Sequence, residues 1–101
     1  MQIRLMMGAT ANWKIIMNRL GYHENYDRRT NQISYIRRLR SLNYPRFHAY
    51  LEHGDQQATI NLHLDEKAVS YSGQTRHSGV YDGELVEKEA ERIQQSLQAY
   101  A

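Results

Sequence analysis

The chain has no cysteine, which excludes disulfides and thiolate metal sites and removes any argument for an oxidising compartment. Proline occurs once, at Pro45, so only there does proline stop a helix from running on. Phenylalanine and tryptophan also occur once each, against eight tyrosines, so the aromatic content is almost entirely amphipathic. No apolar run approaches the ~20 residues that a membrane-spanning helix needs. The opening residues, Met1 to Gly8, lack the apolar stretch of a signal peptide. The expectation is a soluble cytoplasmic protein without membrane contact. Its 101 residues suit a single domain, 1–101, with one modest core.

What is present is most informative between residues 46 and 65. Arg46-Phe47-His48-Ala49-Tyr50-Leu51-Glu52 and Ala58-Thr59-Ile60-Asn61-Leu62-His63-Leu64-Asp65 alternate in character and flank a turn at Gly54-Asp55. Phe47, Ala49, Leu51, Ala58, Ile60, Leu62 and Leu64 fall on one face, which reads as core. His48, Tyr50, Thr59, Asn61, His63 and Asp65 fall on the other.

Charge is divided along the chain. Residues 1–46 carry nine Lys/Arg against Glu24 and Asp27, a net +7, whereas residues 47–101 carry four against nine acids, a net −5. Eight of the nine early cations are arginine, which suits bidentate phosphate contact and stacking on bases. Either this half presents a basic surface to an anionic partner, or the two halves neutralise each other within the fold or across a homodimer.

Ile3, Leu5 and Met7 suggest a short strand. Trp13, Ile16, Met17 and Leu20 form a helical stripe, with Thr10 or Asn12 as cap and Gly21 as stop. Residues 21–32 are polar and read as a loop. Residues 33–40 read as a strand, and Ala68-Val69-Ser70-Tyr71 as a short edge strand within a long loop over 65–83. Leu85, Val86, Ala90, Ile93, Leu97 and Tyr100 mark a last helix, with Asp82 as its N-cap and Tyr81 and Val86 spaced as a hydrophobic staple. The fold class expected is α+β, in the order (β)-α-β-β-β-α. It comprises a three-stranded antiparallel sheet, four-stranded with the extra edge, and N-terminal and C-terminal helices packed on one face.

Strand parity places His48 opposite Asn61 or His63, and parity alone does not choose between these registers. In both, His48 and His63 are neighbours, with Asp65 on the same face. Two imidazoles with an orienting carboxylate can act as general acid and base, and Arg37 or Arg38 can stabilise a phosphate, the set needed for phosphodiester cleavage. His48, His63, Asp65 and His77 can alternatively ligate a divalent metal. Asp82 and Glu84 can meet a hard cation, although a helix cap explains them without one. Tyr50, with Tyr35 a possible companion, can form a base-stacking platform beside Arg28, Arg29, Arg37, Arg38, Arg40 and Arg46.

The α-β-β-β-α order over roughly residues 10–100 resembles the double-stranded-RNA-binding domain, which implies RNA as a partner. That family carries a Lys-rich cluster at the start of its last helix. Here the position reads Asp82-Gly83-Glu84-Leu85-Val86-Glu87, so that binding mode does not carry over. Residues Ile60-Asn61-Leu62-His63-Leu64-Asp65-Glu66-Lys67 and His77-Ser78-Gly79-Val80-Tyr81-Asp82-Gly83-Glu84 resemble a run in small uncharacterised prokaryotic proteins, which implies no activity. Three functional expectations follow. The first is a nucleic-acid or polyanion binder that presents the Arg-rich segment and an open sheet face and needs no cofactor. The second is a small hydrolase or phosphodiesterase using His48, His63 and Asp65, with or without a metal. The third is a non-catalytic homodimer.

Overall fold

The computed structural model describes residues 1–6, 11–54, 56–66, 79–80 and 83–98. The described elements run β1 (Gln2–Met6), α1 (Trp13–Arg19), β2 (His23–Asp27), β3 (Gln32–Arg38), β4 (Arg46–His53), β5 (Gln57–Asp65), β6 (Gly79–Val80) and α2 (Glu84–Leu97). The strands form one antiparallel sheet in the order β1-β5-β4-β3-β2. Strand β4 takes one edge of β5 along residues 58–65. The other edge is shared, with β1 along 57–61 and β6 at Leu64 and Asp65.

This corrects the expected three- or four-stranded sheet backed by an N-terminal and a C-terminal helix. Five strands form the path, and α1 lies between two of them. The α-β-β-β-α order therefore does not describe the chain. The main omission is β2, in the stretch read as a loop. It is an edge strand with three of five residues exposed, and its sequence, His-Glu-Asn-Tyr-Asp, has no apolar alternation to reveal it. Its turn is more legible. The Arg29 amide donates to Asp27 Oδ1 at 2.9 Å, and Asn31 takes a positive φ of 56°, which asparagine tolerates better than most residues. The edge strand expected at Ala68–Tyr71 lies outside the described residues.

The core joins one sheet face to both helices. Ile3, Tyr35, Phe47, Ala49, Ala58, Ile60, Leu62 and Leu64 meet Trp13, Ile16, Met17 and Leu20 of the first helical segment and Val86, Ala90, Ile93 and Leu97 of α2. Each large side chain buried there contributes ~1.5–3 kcal/mol. Helix α1 begins where Asn12 accepts from the Ile15 amide at 3.2 Å. It ends in a Schellman arrangement, with the amides of Tyr22 and Gly21 donating to Met17 and Asn18 carbonyls at 2.9 and 3.0 Å. Gly21 has φ +97° there, a conformation that any other residue would adopt only under strain.

The cap of α2 also differs from expectation. Gly83 is the N-cap, with φ 115° and no side-chain cap bond, whereas Asp82, Tyr81 and Tyr100 lie outside the described residues. Leu85 is 54% exposed, and the fifth buried position is Glu89. Glu89 is paired on every side. The Tyr22 hydroxyl donates to it at 2.6 Å, the Arg92 guanidinium at 2.8 and 2.9 Å, and Arg37 Nη1 lies at 3.5 Å. Arg92 also donates to the Leu20 carbonyl at 2.7 Å. Burial raises the Glu89 pKa, but the Arg92 and Tyr22 hydrogen bonds and the Arg92 and Arg37 charges outweigh it, leaving a net decrease. This clasp ties α2 to the end of α1 and to β3. A buried charge so fully paired is stable in place, and removing one partner costs more than the pair contributes.

Candidate functional site

The site lies on the sheet face opposite the core, where three strands each supply side chains. Pairing of β4 with β5 sets His48 opposite His63 and Arg46 opposite Asp65; pairing of β3 with β4 sets Ile36 opposite His48 and Arg38 opposite Arg46. The register left open by parity is thus the one that brings the histidines together. Their ring centroids are 5.0 Å apart.

Asp65 is the hub. His48 Nδ1 lies 2.9 Å from its Oδ2, His63 Nε2 lies 2.8 Å from its Oδ1, and Arg46 Nε donates to Oδ2 at 3.2 Å. Burial raises the Asp65 pKa, but hydrogen bonds from both histidines, with the electrostatic pull of their rings, lower it further. The carboxyl is held well below the usual carboxylate range. An ionised carboxylate only accepts, so the two ring nitrogens facing it carry hydrogens in this arrangement.

The far side of His48 is also occupied. Its Nε2 is 2.7 Å from Ser34 Oγ, which in turn lies 3.3 Å from the Asn25 carbonyl and 3.5 Å from Asn25 Nδ2. Tyr50 stacks on both imidazoles, at 4.5 Å from His48 and 5.4 Å from His63. The Arg46 guanidinium lies 4.6 Å from the Tyr44 ring centre. Ser34, Ile36, His48, His63 and Asp65 are all buried, so the centre of this face is not the open platform expected from sequence.

The structure brings together His48, His63, Asp65, Tyr50 and Arg46 and disperses the other predicted residues that it describes. Arg37 points to the core side and meets Glu89, because the residue opposite it is the inward-facing Phe47. Tyr35 is buried in the core and forms no platform with Tyr50. Arg28 and Arg29 are exposed in the β2–β3 turn. Arg38, exposed, donates to Asn43 at 3.1 Å, and Arg40 is exposed in the connection after β3. His77 lies outside the described residues.

Sequence reasoning missed Ser34 and Asn25 and placed Arg46 with the partner-binding cations. Ser34 shares its strand face with Ile36, which sequence alone would assign to the core, so parity along β3 pointed away from the histidine face. Asn25 had no signal, since its strand went unseen.

Two chemistries fit this donor set. The ligating atoms of His48, His63 and Asp65 all lie within 4.8 Å of one another. Divalent ions with nitrogen and oxygen ligands at ~2.0–2.2 Å need neighbouring donors roughly 3 Å apart, close to the two His–Asp distances. Two histidines and one carboxylate without sulfur suit zinc, iron(II) or a similar borderline ion. The Ser34–His48–Asp65 chain also has the connectivity of a nucleophilic triad. Ser34, however, is 4% exposed on an interior strand, with its oxygen engaged by Asn25, so it is poorly placed to attack a substrate.

No family model, curated protein or solved structure matches the chain. Among the described residues, no helix is long and apolar enough to cross a membrane. The functional reading therefore rests on the site.

Proposed function

We propose that the protein binds a divalent transition metal through His48, His63 and Asp65. The observation that carries this reading is the convergence of three buried ligating residues, two imidazoles and a carboxylate, from adjacent strands. Two features support it. Arg46 holds the carboxylate and Ser34 holds the far nitrogen of His48, the outer partners that metal-ligating carboxylates and histidines use. The ligands also sit on paired strands rather than loops, which fixes their geometry. A bound ion with three protein ligands supplies Lewis acidity and an activated water, the chemistry of a small hydrolase.

The test is calorimetric titration with Zn²⁺ and Mn²⁺, alongside metal analysis of the purified protein. One equivalent per chain is expected, weakened at least ~100-fold in His63→Ala and Asp65→Asn. His63→Gln, closer in size, guards against loss of the fold. Absence of binding, or binding unchanged by all three substitutions, overturns the reading. If the ion is hydrolytic, turnover of an activated phosphodiester ends in the same variants.

A second reading is favoured by the exposure of Arg28, Arg29, Arg38 and Arg40. These four can hold RNA, DNA or another polyanion, because Arg37 and Arg46 are engaged by Glu89 and Asp65. Those two ion pairs also join the basic and acidic halves within one chain, so neutralising them does not require a homodimer. Sedimentation at low and high salt tests the dimer directly.

A further inference from the structure

The contacts of Ser34 carry a role that rests on the metal reading and deepens it. Ring nitrogens of histidine are chemically similar, and an imidazole free to turn can offer either to a ligand. In His48 each nitrogen has its own partner. Nδ1 meets Asp65 at 2.9 Å and Nε2 meets Ser34 Oγ at 2.7 Å. The Ser34 oxygen is itself fixed between β2 and β4, by the Asn25 carbonyl at 3.3 Å and Asn25 Nδ2 at 3.5 Å. A hydroxyl has one hydrogen and two lone pairs, so it can donate to Nε2, or accept from Nε2–H while donating to the Asn25 carbonyl.

We infer that Ser34 is the positioning residue of His48. It holds the ring with Nδ1 toward Asp65, and it serves Nε2 equally well as donor or as acceptor. The two modes correspond to two states of the site. Without metal, Nδ1 carries the hydrogen given to Asp65, and Nε2 accepts from Ser34. Were His48 and Asp65 to hold a metal, that hydrogen would reside on Nε2, and Ser34 would accept from it while donating to the Asn25 carbonyl, so the ring would keep its place. The proton would move between the two ring nitrogens, so His48 would neither gain nor lose one overall. The edge strand β2 thereby becomes part of the site through Asn25, although it supplies no ligand.

The experiment pairs Ser34→Ala with Ser34→Thr, which restores a hydroxyl. In long-range ¹H–¹⁵N histidine spectra of the metal-free protein, His48 is expected in the Nδ1–H form, with its Nε2 resonance displaced in Ser34→Ala and restored in Ser34→Thr. In Co²⁺ and Zn²⁺ titrations, Ser34→Ala is expected to bind ~10–100-fold more weakly, with an altered Co²⁺ visible spectrum, and Ser34→Thr to recover both. Wild-type His48 in the Nε2–H form, or Ser34→Ala with unchanged nitrogen shifts, overturns the inference even if one variant fails to fold. Altered His48 shifts in a protein that binds neither ion support the Ser34 role and overturn the metal reading instead.

Discussion

His48 and His63 face each other across β4 and β5 and take one oxygen each of the Asp65 carboxylate. The carboxylate therefore sets both ring orientations at once. Replacing it by Asp65→Ala leaves two buried ring N–H groups and the Arg46 guanidinium without their acceptor. Breaking such a buried pair costs about 3–5 kcal/mol. Urea unfolding at pH 7 checks this, and a loss under ~1 kcal/mol would mean that water replaces the carboxylate cheaply.

Acid should weaken the fold through two groups. Asp65 and Glu89 are both held below their ordinary values of 3.8 and 4.5 in the folded protein. Below those values the unfolded chain takes up protons that the folded one refuses. Their contribution is thus complete above about pH 5 and is lost as pH falls toward the folded-state values. Unfolding free energies measured from pH 7 to pH 2 should decline over this range, with a shallower decline in Asp65→Asn and Glu89→Gln. An identical acid slope in both variants would refute the assignment.

Tyr22→Phe removes one hydroxyl from the clasp. The hydrogen bond lost is to a charged, buried acceptor, worth about 1.5–3 kcal/mol. In a domain of this size, each kcal/mol shifts the melting temperature by ~4–8 °C. Calorimetry should find a drop of about 10 °C, and a shift within error would show that Arg92 satisfies Glu89 alone. In the wild-type protein, burial followed by the Glu89 charge and hydrogen bond raises the Tyr22 phenol pKa. Its absorbance should not titrate near the ordinary 10.0 while the fold persists.

Two neighbouring arginines should behave oppositely on charge reversal. Arg37→Glu places a second carboxylate beside buried Glu89 and should destabilise the protein, whereas Arg38→Glu sits in solvent and should not. If a polyanion binds, Arg28→Glu, Arg29→Glu, Arg38→Glu and Arg40→Glu should weaken binding and flatten its dependence on salt. Fluorescence anisotropy with labelled RNA and DNA at two salt concentrations reads this directly. Affinity indifferent to all four would end the nucleic-acid reading.

The legibility of the chain followed its hydrophobic contrast. The β4–β5 hairpin was visible because apolar and polar residues alternate strictly, and the same alternation put His48, His63 and Asp65 on one face. Register was not visible, because slips by two residues keep that alternation; the pairing itself resolved it. Strand β2 is an edge strand held by backbone pairing with β3, and polar side chains suffice there. Glu89 did leave a trace. It lies three residues after Val86 and four before Ile93, in the middle of the buried stripe, where a carboxylate needs a partner. One partner, Arg92, lies three residues on in the same helix and could be read from that spacing, whereas the other, Tyr22, is far away in sequence and no local pattern names it.

The same distance bears on how the chain reaches its structure. Tyr22 and Glu89 are 67 residues apart, and Arg92 reaches the Leu20 carbonyl across 72. Closing so long a loop forfeits chain entropy before any bond repays it, which places these contacts among the slower events of folding. On the ribosome, Tyr22 and Arg37 emerge well before their acceptor is made. Until α2 docks, a cation and a phenol on this flank lack the carboxylate that pairs them.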